Sequence, residues 1–74
     1  MLLLASRTYP FLDSLSLVEH QARDTLFRIG SDKFLLHMAA RDSAEADDRL
    51  VWLDCRAALL WINATTEEYG LEWQ

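Results

Sequence analysis

Residues 25–38 read TLFRIGSDKFLLHM, and the fold of the whole chain turns on whether they are helical or extended. Gly30, Ser31 and Asp32 at the centre suit a hairpin turn between strands at 25–29 and 33–38. They equally suit a helix junction, with Gly30 as a left-handed C-terminal cap and Ser31 capping a following helix. Leu35, Leu36, His37 and Met38 do not alternate between apolar and polar, and Ala39 and Ala40 continue as helix formers. The pattern therefore predicts helix. A mixed α+β fold with a short hairpin at 25–38 is the alternative.

The flanking segments point the same way. Upstream, Phe11, Leu15, Val18, Ala22, Leu26 and Ile29 recur at steps of three and four, one face of a helix over about 10–29, with Pro10 suited to its first turn. Glu19 with Arg23 and Asp24 with Arg28 lie four apart with the acid first, the favourable helical order. Downstream, Leu36, Ala39, Ser43, Ala46, Leu50, Leu53, Ala57, Leu60 and Ala64 keep heptad spacing, which predicts helix over 32–64, continuous or broken near 41–44. Thr65 with Glu68 suggests a short further turn whose aromatic residues fold back on the body. The expected architecture is all-α: one domain over 1–74 of two or three helices, completed by oligomerisation.

Residues 50–64, LVWLDCRAALLWINA, carry the functional expectation. Twelve of the fifteen are apolar, the exceptions being Asp54, Arg56 and Asn63. Wound as a helix, they give two apolar stripes: Leu50, Leu53, Ala57, Leu60 and Ala64, and Trp52, Cys55, Leu59 and Ile62. A chain of 74 residues buries only roughly 60% of its unfolded surface and cannot wrap such a cylinder alone. Trp52, Cys55, Leu59, Trp61 and Ile62 are therefore the candidate protein-binding residues, and a homodimer or another protein partner the candidate occupant.

Composition bounds the remainder. With 51% hydrophobic residues, two Gly and one Pro, the chain is too apolar and too poor in breakers for a disordered tail. The single cysteine excludes an internal disulfide and fits a reducing, cytoplasmic compartment. The five apolar residues from Met1 are too few for a signal peptide, and no segment approaches the ~20 apolar residues of a membrane span. No cofactor or metal is expected, because His20, His37 and Cys55 are scattered without ligand spacing. No Gly-rich phosphate loop or nucleophile elbow is present, so neither enzymatic activity nor a small-molecule substrate is expected.

The net charge is −5. Residues 1–37 hold four acids and four bases, whereas 38–74 hold eight acids and three bases. Clustered bases are missing, which argues against direct nucleic-acid binding. The dense group Asp42, Glu45, Asp47 and Asp48 supports an alternative function, an acidic inhibitor that mimics nucleic acid on a basic site. The leading expectation is a small acidic regulatory protein that buries the 50–64 surface against itself or a target.

Overall fold

The computed structural model describes residues 1–40, 47–68 and 70–73. They form one five-stranded antiparallel sheet and one helix, which overturns the all-α expectation. β1 (Leu2–Leu12), β2 (Glu19–Gly30), β3 (Lys33–Met38) and β4 (Arg49–Leu53) follow one another as a meander. α1 (Cys55–Glu68) then carries the chain to β5 (Glu72–Trp73), giving the order β4-β3-β2-β1-β5. Four inter-strand spacings separate β4 from β5, about 19 Å at ~4.8 Å each, and a 14-residue helix is about 21 Å long. α1 is thus the right length to span the sheet from edge to edge.

The helix expected over 10–29 is instead the last three residues of β1, a turn and nearly all of β2. Its apparent helical spacing along β2 arises because a charge, Asp24 of an ion pair, occupies an inward position. On β2 the buried set is Ala22, Asp24 and Leu26, a period of two with an acid in the middle. On β1 the matching positions are Ala5, Arg7 and Tyr9, with Arg7 opposite Asp24. Hydrophobicity alone sees a gap where each strand has an inward charge, and the remaining apolar residues then fall at steps of three and four. Pro10 lies on β1 beyond the stretch paired with β5, at an outer edge that tolerates a residue lacking an N–H.

Residues 25–38 form an antiparallel pair, Leu26 opposite Leu36 and Gly30 opposite Lys33 across the turn. Gly30 does not take the left-handed conformation expected of a helix cap. Gly70, after α1, does so at φ 79°. The non-alternating run Phe34–Leu35–Leu36 reflects a strand that is apolar on both faces: Phe34 and Leu36 are buried beneath α1, and Leu35 lies on the opposite face, half-buried.

The helix expected over 32–64 is also absent as such. Residues 33–38 are β3, 41–46 lie outside the described residues, and Arg49–Leu53 is an edge strand. The helix begins only after Asp54. This aspartate is its N-cap, accepting the Ala57 N–H on Oδ1 at 2.8 Å, while its carbonyl takes the Ala58 N–H at 2.9 Å. Asp32, from the β2–β3 turn, accepts the Cys55 N–H at 2.8 Å and pins the helix start to the sheet. The core lies between α1 and one sheet face: Leu26, Phe34, Leu36 and Ala58, flanked by Leu4, Met38, Leu53, Trp61 and Ile62.

Candidate docking surface

Directly opposed residues in antiparallel strands share a face, so the register identifies what the sheet shows on the side away from α1. One row runs across four strands: Leu3 opposite Phe27, Phe27 opposite Leu35, and Leu35 opposite Trp52. Trp52 is 59% exposed and Leu3 37%, with Phe27 and Leu35 half-buried between them. The adjoining row, Ser6, Thr25, His37 and Leu50, is mostly polar, but Leu50 is 64% exposed. The apolar patch is therefore concentrated towards the β4 edge.

The charged groups on this face agree with the register. Lys33 stands on the same side of β3 as Leu35, and its Nζ lies 4.7 Å from the centre of a Trp52 ring. Arg23 and Glu72 form an exposed ion pair that ties β5 to β2 over the edge of β1. At the entry to β4, Asp48 accepts the Ala40 N–H on Oδ1 at 2.8 Å and bonds His37 Nε2 through Oδ2 at 3.0 Å. The Ala40 N–H above all, with help from His37, holds the Asp48 carboxyl below its ordinary value against the opposing effect of desolvation.

The expected binding residues do not lie together on one helix. Trp52 is on β4, on the face opposite α1. Cys55 is an exposed free thiol on the first turn of α1, and Leu59 is exposed further along it. Trp61 and Ile62 pack against the core, and Trp61 Nε1 is buried without a hydrogen-bond partner among the described residues. Asp42 and Glu45 lie outside the described residues. Asp47 is exposed, and Asp48 is engaged in the closure of the β3–β4 connection. Leu3, Phe27 and Leu35 escaped the sequence reading because only strand register brings residues so far apart in the chain into one row.

Asp13, Ser16 and His20 meet at the β1–β2 turn. His20 Nε2 is 3.7 Å from Asp13 Oδ2 and 3.5 Å from Ser16 Oγ. Both contacts use the same ring nitrogen, whereas a catalytic relay places acid and nucleophile on different nitrogens. Among the described residues no three His, Cys, Asp or Glu side chains converge on a metal-sized site. No helix there is long and apolar enough to cross a membrane. No protein-family model, curated protein or solved structure matches the chain.

Proposed function

We propose that this chain is a small protein-binding module, regulatory in role, which buries the apolar β4 side of its sheet against a second copy or another protein in the cytoplasm. The observation that carries this reading is the row Leu3–Phe27–Leu35–Trp52, aligned across four strands on the face away from α1, with Trp52 59% exposed at its β4 end. An exposed apolar patch of this kind on a small domain marks an interaction site more often than not, and Trp is among the residues that dominate such interfaces. β4 adds an edge with Leu50, Val51 and Trp52 all exposed, a hazard unless something covers it.

A photo-crosslinking residue placed at position 52 tests the reading, with one at Gln21 as control. Gln21 is exposed on the same face but remote from the apolar row. Adducts with a protein, either a second copy or a different chain, are expected at position 52 in cells of the native host and not at position 21. No adduct at either position, or equal labelling at both, removes the proposal.

A further inference from the structure

The outer edge of β4 has no neighbour among the described residues, so its backbone groups along Arg49–Leu53 can receive another strand. A second copy is the simplest occupant to imagine. Symmetric antiparallel self-pairing that uses all five residues places the twofold axis at Val51, with positions equidistant from it opposed. Leu50 then meets Trp52 of the second copy, a favourable contact. Asp48 meets Asp54 of the second copy, and the same clash recurs at the other end.

Both acids are engaged where they stand. Asp48 is held by the Ala40 N–H and His37, and Asp54 by its cap on Ala57. Like charges directly opposed across strands are destabilising. A register shift that keeps the faces matched must move the pairing by two residues, which leaves only three of the five β4 residues paired. The acids flanking β4 thus oppose self-pairing while the strand between them invites a partner.

Resting on the docking reading above, we infer that the β4 edge takes an extended segment of a different protein. The segment carries Lys or Arg opposite Asp48 and Asp54, hence six positions apart. It carries apolar residues opposite Leu50 and Trp52, and an acid opposite Arg49. Antiparallel addition continues the pattern of the sheet. Asp47 and Asp32, next to these two acids in the chain or on the adjoining turn, reinforce the preference for basic ends.

A capped heptapeptide, Lys-Thr-Val-Thr-Val-Glu-Lys, presents this pattern, and Glu-Thr-Val-Thr-Val-Lys-Glu is its charge-reversed control. The first is expected to shift the backbone amide resonances of Arg49–Leu53 and to bind about tenfold tighter than the control. The double variant Asp48→Asn with Asp54→Asn keeps a hydrogen-bond acceptor at both positions. It should lose that preference and, in sedimentation velocity, self-associate about tenfold more tightly than the wild-type chain. Equal binding of the two peptides, no shift of the β4 amides by either, or unchanged self-association in the double variant overturns the inference. If position 52 still crosslinks to a protein under that outcome, the docking reading stands and only the occupant is wrong. If it does not, both fall.

Discussion

Arg7 and Asp24 face each other across β1 and β2 beneath α1, with Arg7 Nε donating to Asp24 Oδ2 at 3.0 Å. Asp24 is fully buried, and Tyr9 Oη donates to its other oxygen at 3.4 Å. The Arg7 guanidinium also lies 4.9 Å from the Tyr9 ring centre and 5.8 Å from that of Trp61. One ion pair therefore joins two strands and the helix above them. Asp24→Ala removes the fully buried acceptor of both Arg7 Nε and Tyr9 Oη, a loss of about 3–5 kcal/mol, comparable to the whole stability of a domain this small. Urea unfolding followed by circular dichroism should find that variant mostly unfolded in water. Arg7→Met combined with Asp24→Leu should restore a cooperative transition close to wild type, because a well-packed apolar pair can replace a buried ion pair.

The same pair explains why the fold was hard to read in the sequence. Binary patterning works when the inward face is apolar, and here both central strands point a charge inward at matching positions. β3 has the opposite defect, apolar residues on both faces, so its alternation is hidden too. What was legible was local. Residues 50–64 do hold an excess of exposed apolar surface, in Leu50, Trp52, Leu59 and Leu60, but it is divided between a strand edge and a helix on opposite sides of the sheet. Asp54, read as a mid-helix exception, was in fact the signal for the break between them.

Leu17, at the β1–β2 turn, adopts a left-handed backbone conformation at φ 58° and is exposed. Leu17→Gly relieves a penalty of roughly 1 kcal/mol, which for a domain of this size raises the melting temperature by about 4–8 °C. Gly70→Ala should move it the other way, since that glycine has φ 79°. Gly30→Ala is the internal control. A methyl group there meets Lys33 Cβ at an ordinary 3.7 Å, so little change is expected in the same thermal scans.

Asp48 gives a pH dependence of defined sign. Its carboxyl titrates below the ordinary value because the folded chain supplies the Ala40 N–H and His37, partners that the unfolded chain lacks. A depressed carboxyl stabilises the fold fully above the unfolded value, about 3.9 for Asp, and the contribution disappears as pH falls through the folded value. Between pH 7 and 5 this group should leave stability unchanged. Below that, Asp48→Asn should flatten part of the acid limb of stability against pH, measured by urea midpoints. An equally steep limb in the variant assigns the acid sensitivity to other carboxylates.

The start of α1 depends on two acids with separate tasks. Asp54 caps the helix from within, and Asp32 reaches across from the β2–β3 turn to the Cys55 N–H. Asp54→Ala should reduce stability by about 1 kcal/mol, the usual loss on removing a good N-cap, whereas Asp54→Asn should be nearly neutral. Asp32→Ala removes a bond between elements rather than within the helix. Its effect should therefore appear first as faster amide hydrogen exchange at the first turn of α1, with β1 and β2 protected as before. The Asp32 and Asp54 substitutions act on neighbouring donors of the same turn, so the double variant should lose more or less than the sum of the two. Additive losses would mean that the Asp32 bond and the Asp54 cap hold the helix start independently.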